Sequence, residues 1–349
     1  MAALVSAPVA VYSTAASWVT APAVGAAGAA WLEVGRDDGD ARVVGTFRGD
    51  RLVIRTTGRA RGVVHEPCME TPCSTVQAPV AVAAHGSFAY AVAFPGTGGY
   101  VADVGADGRS RVVAEDQTDP HRIALPHPVA STGAAIAWVD ENRIHLAPPS
   151  GRPDAIVVRG ARTGGRIVAL GAGPAGIAWV ARTDAGGTEI RVRTAVGGIS
   201  VRATESDAAT ARFVSVGIAD DGTVVAVRRE ADGAKWRTRL VALAVDGTSR
   251  TLAATAPLDV ATTATVPRVS VSGTRAAVRM IGGRTGSLDV IWVVDLATGA
   301  RERVDVVRRA AARLSDASLG AGRLVWARDS LAADGGLRRS RLMSATLVD

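Results

Sequence analysis

The chain has 349 residues, 48% apolar and 4% aromatic, with a formal net charge of +7. No stretch is both long and apolar enough to span a bilayer, so a helical membrane protein is excluded and a soluble chain expected. The positive charge gathers in the second half, with 29 Arg/Lys against 19 Asp/Glu after residue 150 and 11 against 14 before it, but it carries no aromatic stacking platform for bases, so no nucleic-acid partner is expected.

In chain order, the first element is a strand, Pro8–Ser13, that belongs to no hairpin. No charged residue precedes Glu33. Pro8 and Pro22 interrupt this stretch, and no Lys or Arg stands ahead of it, so neither an anchor nor a signal peptide is recognisable there. A mature exported form, its leader already removed, remains open.

Seven glycine-led strands then recur, at Gly28 (GAAWLEV), Gly86 (GSFAYAVAF), Gly133 (GAAIAWVD), Gly176 (GIAWVAR), Gly222 (GTVVAVRR), Gly273 (GTRAAVRM) and Gly322 (GRLVWARD). Runs this apolar are buried on both faces. Each is preceded by a short strand, such as Phe213–Ile218, and followed by two more across a turn, such as Asp246-Gly247. Asp-Gly is hairpin punctuation. The unit is a four-stranded antiparallel meander, strands a to d, repeated about every 49 residues.

A meander of that length cannot cover both faces of its own sheet, and a ring of them can. The expected fold is all-β: a seven-bladed β-propeller of four-stranded antiparallel blades, with six or eight blades as the alternative. It fills one domain, 1–349, with units starting near 18, 78, 127, 165, 211, 266 and 313. The last unit stops after strand c at Arg341–Val348, and the strand at 8–13 would supply its strand d and close the ring. Trp31, Trp138, Trp179 and Trp326 share one strand position and are expected in the core.

Segments such as VSVSGTRAAVRM…VIWVVDLATGARERV resemble the TolB-like, WD40-like β-propeller repeats of bacteria. That resemblance implies a binding scaffold, often outside the cytoplasm, and brings no catalytic motif with it. The marks of eukaryotic WD repeats, of sialidases and of kelch repeats are absent.

The a–b and c–d turns are mostly short. The longer b–c and d–a loops, such as Pro95–Gly99, Glu230–Lys235, Gly282–Ser287 and Ala332–Gly336, share the other face, where function is expected. The longest insertion, Gly58–Gln77, holds both cysteines, Cys68 and Cys73. They are read as a disulfide, which would place the protein in an exported compartment, periplasmic or secreted; two free thiols in a cytosolic protein are the alternative. A metal site joining His65, Cys68 and Cys73 to His121 and His127 is a further candidate, although H-x2-C-x4-C matches no strong zinc spacing. Lys235 and Trp236 are a candidate contact pair. Gly171–Gly176 imitates a dinucleotide fingerprint but opens no helix. Nothing calls for a cofactor.

The expected function is a noncatalytic binding or scaffold propeller, a monomer, contacting a protein or glycan through the b–c/d–a face. A hydrolase or lyase with its site at the channel mouth is the alternative.

Overall fold

Turn glycines followed by runs of Val, Ala and Ile set up short strands joined by tight hairpins, and that is what the chain forms. The computed structural model describes residues 3–25, 28–35, 41–46, 55–57, 75–76, 81–82, 88–94, 98–104, 110–116, 129–140, 143–148, 155–259 and 266–348. Among these, one helical turn, at Gly160–Thr163, is the only helix.

Strand β1 (Val9–Thr14) leads. The first sheet follows in chain order as β2 (Ser17–Gly25), β3 (Gly28–Gly35), β4 (Ala41–Thr46) and β5 (Arg55–Thr57). The second holds β6 (Thr75–Val76), β7 (Ala81–Val82), β8 (Phe88–Phe94), β9 (Gly98–Val104) and β10 (Ser110–Asp116), with β6 and β7 sharing one edge of β8. The third is β11 (Val129–Ser131), β12 (Ile136–Asp140), β13 (Arg143–Ala147) and β14 (Ala155–Arg159). The fourth is β15 (Arg166–Gly173), β16 (Gly176–Arg182), β17 (Thr188–Thr194) and β18 (Ile199–Glu205). The fifth is β19 (Ala211–Ile218), β20 (Val224–Asp232), β21 (Lys235–Leu243) and β22 (Ser249–Ala254). The sixth is β23 (Val269–Ser272), β24 (Arg275–Gly282), β25 (Leu288–Asp295) and β26 (Arg301–Arg308).

The last sheet takes β27 (Ala312–Leu314) and β28 (Ser318–Gly320) on one edge of β29 (Arg323–Leu331), then β30 (Leu337–Thr346), then β1. β1 runs antiparallel to β30, with Val9 opposite Ser344 and Thr14 opposite Ser340. The two ends of the chain thus share one sheet. Glu302, on β26, accepts the N–H groups of Leu4 and Val5, while Arg275 donates to the carbonyls of Leu4 and Val348.

Neighbouring sheets pack face to face, and the tryptophans show how. Trp31, Trp138, Trp179 and Trp326 are all buried to 2% exposure or less. Trp179 packs with Ala137, Val139 and Ile144 of the third sheet. Trp326 packs with Ala277, Ile291 and Val293 of the sixth, and Trp31 with Ala327 and Leu342 of the last. Each large ring therefore fills the space toward the preceding sheet, where a small residue such as Ala137 or Ala277 makes room. The indole N–H groups find acceptors: Trp179 donates to the Thr163 carbonyl at 2.9 Å and Trp326 to Asp305 at 2.9 Å, as buried donors must.

The first strands of successive sheets approach closely enough that side chains limit them. Hydroxyls bridge the gap. Ser215 accepts the N–H of Val269, Ser270 that of Leu319, and Ser318 that of Val24, at 3.1, 2.9 and 3.2 Å. The same serine bridge thus links the fifth sheet to the sixth, the sixth to the last, and the last to the first. Glycine does the rest: a Cβ on Gly171 would lie 2.4 Å from the Val216 carbonyl, and one on Gly320 would lie 2.1 Å from that of Val24. The glycines of the fingerprint-like run are thus a strand and its hairpin, with Gly176 at φ +142°.

Candidate functional site

One cavity, of about 540 Å³, lies where the first strands converge. Six sheets contribute to it: Pro22 from β2, Val129 from β11, Val168 to Leu170 from β15, Arg212 to Val216 from β19, Val269 and Ser270 from β23, and Ser318 from β28. Its size falls in the usual range for ligand sites, roughly 300–1,000 Å³.

Three of the four charged lining residues stand at one end of the strands. Arg182 is the last residue of β16, facing the turn into β17. Arg212 follows the connection from β18, Arg268 directly precedes β23, and Asp316 lies between β27 and β28. The three arginines hold b–c and d–a positions, whereas Asp316 interrupts the first strand of the last sheet. Arg182 is exposed, and among the described residues neither it nor Arg212 has an ion-pair partner. The Arg212 guanidinium stacks on Trp236, its carbon 4.7 Å from the ring centre.

Asp316 is the one carboxylate among the described lining residues. Its side chain is 20% exposed, and that surface opens into the cavity. Burial pushes its pKa up, against the pull of Arg279 and Arg268, whose charges favour the carboxylate. Arg279 Nε is 3.8 Å from Asp316 Oδ1, and the backbone N–H of Arg268 donates to the same oxygen at 3.4 Å. Behind Arg212, buried Arg229 has its pKa lowered to about 10, by desolvation first and then by the like charge of Arg212. Positive charge thus outweighs negative in and behind this wall.

The hydroxyls of the lining are engaged in structure. Ser215, Ser270 and Ser318 carry the inter-sheet bridges, and Thr188 accepts the N–H of Phe213 at 3.0 Å. No histidine stands among the described lining residues, so none of these hydroxyls has a base beside it there.

The residues singled out from the sequence fall in two groups. His65, Cys68, Cys73, His121 and His127 lie outside the described residues, as does the Gly58–Gln77 insertion apart from Thr75 and Val76. Lys235 and Trp236 open β21; Lys235 is exposed and Trp236 half-buried. Between β20 and β21 the strands run further than the Glu230–Lys235 loop suggested. They continue to Asp232 and resume at Lys235, so Gly233-Ala234 is the whole turn, with Gly233 at φ +62°. Trp236 pairs through its backbone with Leu258, at 2.8 and 2.9 Å. Through Arg212, the ring stands beside the cavity. Arg182, Arg212, Arg268 and Asp316 were not distinguished in the sequence, because arginines alternate along every strand of this half of the chain.

Among the described residues no group of His, Cys, Asp and Glu is placed to hold a metal ion, and no helix is long and apolar enough to cross a membrane.

No protein-family model and no curated protein matches this chain. Solved structures do. It is similar to the tricorn protease, at 13% identity and a TM-score of 0.39, over 89% of this chain and 28% of that one. It is similar to a puromycin hydrolase, at 12% identity and a TM-score of 0.50, over 90% of this chain and 50% of that one. It is similar to PorZ, a bacterial surface component of the type-IX secretion system of Porphyromonas gingivalis, at 8% identity and a TM-score of 0.52, over 99% of this chain and 39% of that one. This chain therefore spans half or less of the length of these proteins. The neighbours are β-propeller-like, and the fold of this chain is β-propeller-like with them.

Proposed function

We propose that this chain is a noncatalytic binding propeller, seven blades closed in one domain over 1–349, that takes a protein or glycan ligand at the b–c/d–a end of its central channel. The closed ring is supported by the ends of the chain: β1 sits outside β30, Ser318 receives the Val24 N–H, and Trp31 packs on Ala327 and Leu342. TolB-like or WD40-like kinship and action as a monomer belong to the same reading. A disulfide between Cys68 and Cys73 would add an exported location to it.

The observation that carries binding over catalysis is the chemistry of the cavity wall. Its hydroxyls accept backbone N–H groups, and its one described carboxylate sits against two arginines. Arrayed peptides and glycans, probed with the wild-type protein and with variants altered in the loops 183–187 and 206–210, test this. Retention of a ligand class by the wild type and its loss in the loop variants is expected. Equal retention by both, or none by either, overturns the reading.

The alternative, a hydrolase or lyase at the same mouth, draws on Asp316. A carboxyl with a raised pKa in a cleft is suited to general-acid work. Turnover of a retained ligand that is abolished by Asp316→Asn would establish it.

A further inference from the structure

The cavity joins aliphatic walls to a cationic rim. Its walls are aliphatic, with Val168, Val214 and Val266 facing the space. Its rim carries Arg182 and Arg212, neither of which has a carboxylate partner among the described residues. Some arginines elsewhere are neutralised. Arg228 is held by Glu205 and Glu230, both at 2.6 Å, Arg191 by Glu189 at 2.7 Å, and Arg237 by Asp232 at 2.7 Å.

Arg212 is also positioned. Trp236 backs its guanidinium, and stacking of that kind fixes the plane while leaving the N–H edge free. A guanidinium so held presents a fork that matches a carboxylate.

We propose that the cavity mouth binds an acidic peptide segment, with Arg182 and Arg212 taking its carboxylates and the valine walls taking its apolar side chains. This rests on the binding reading above and names the ligand class for it. A peptide is favoured over an acidic sugar because the walls are aliphatic. The one aromatic among the described lining residues, Phe213, is buried at 4% exposure and offers little open face on which a sugar ring would stack. An extended peptide also alternates its side chains, so acidic and apolar groups reach opposite surfaces of a narrow cleft. Trp236 is then a positioning residue, acting through Arg212.

Fluorescence anisotropy with three labelled probes tests this: a hexapeptide alternating Glu and Val, the same peptide with Gln for Glu, and a uronic acid hexamer. The Glu/Val peptide is expected to bind, and the Gln/Val peptide at least tenfold more weakly. Arg182→Gln and Arg212→Gln should each raise Kd at least fivefold, and 0.5 M NaCl should weaken binding in the wild type, as screening requires. Trp236→Leu should raise Kd toward the Arg212→Gln value, and Trp236→Phe should recover part of the loss.

Arg182 is exposed, so its replacement leaves the core untouched, and a melting curve matched to wild type checks each variant. The double variant Arg182→Glu/Arg212→Glu should bind a Lys/Val peptide that the wild type ignores, a gain that misfolding does not produce. Equal affinity for the Glu and Gln peptides overturns the carboxylate assignment while leaving a binding site in place. Tight binding of the uronate alone overturns the peptide assignment. Failure of all three probes overturns this inference, and the array experiment then decides the broader reading separately.

Discussion

Single atoms decide how closely the sheets approach. Gly320 has no Cβ, and one placed there would meet the Val24 carbonyl at 2.1 Å. Backbone cannot move aside as a flexible side chain can, so Gly320→Ala is expected to lower stability by ~1–3 kcal/mol, the usual cost of overpacking, read as a lower denaturant midpoint at unchanged slope. A midpoint equal to wild type would show that β28 and β2 are not in contact. Asp329 makes a second residue-scale case. It is buried on β29, where it accepts from the Ser340 hydroxyl, which in turn accepts the Val19 N–H at 3.1 Å. Desolvation raises its pKa to about 6, against the pull of Ser340 and Arg313. The folded state therefore holds this proton more tightly than the unfolded chain does. Its contribution to stability is full below the unfolded pKa of 3.8 and is lost as pH rises through about 6. Asp329→Asn keeps an acceptor for Ser340 and removes the charge. It should flatten the stability profile between pH 4 and 6 and leave the variant ~1–3 kcal/mol more stable at pH 7.5 relative to wild type. Unchanged pH dependence in urea melts would refute this.

At the scale of the element, β1 has the most to lose. Half of its residues are exposed, and it pairs with one strand, β30, while Val11 and Tyr12 pack toward Trp31. Without it β30 becomes a bare edge, open to pairing with another chain. Deleting residues 1–16 should lower the melting temperature markedly and promote aggregation in light scattering. A truncated chain that melts like the whole protein would remove β1 from the closure. The Gly58–Gln77 insertion is a different kind of element. If Cys68 and Cys73 are bridged, the loop they close is short, so the bridge contributes ~2–3 kcal/mol locally. Reduction should then loosen the insertion and leave the sheets folded, and non-reducing peptide mapping of natively expressed protein should recover both cysteines in one linked peptide. Two alkylated free thiols would return the location to the cytoplasm.

For the whole molecule, the proposed ring has a size. A compact domain of this length has a radius of gyration of about 20 Å. Small-angle scattering should give that value at a monomer's mass. An open arc of seven sheets would give a clearly larger one, and a doubled mass would refute the monomer.

The repeat was legible from the sequence because it is a local property. A turn glycine, a β-branched run and an Asp-Gly hairpin act within a few residues, so the four-stranded antiparallel unit and the burial of Trp179 and Trp326 could be read from the sequence. The orphan strand at 8–13 was legible too, as a strand lacking a hairpin partner. The partners across sheets were not legible. Ser318 and Val24 are 294 residues apart, and nothing local to either marks the pair. The cavity was hidden for the same reason. Arg182, Arg212, Arg268 and Asp316 look like any other charged residues on alternating strands, and only convergence of six first strands sets them around one space. Side-chain alternation, and with it the sheets, was written into the sequence; which arginines lack a carboxylate was decided by packing, because neutralisation depends on distance in space and not along the chain.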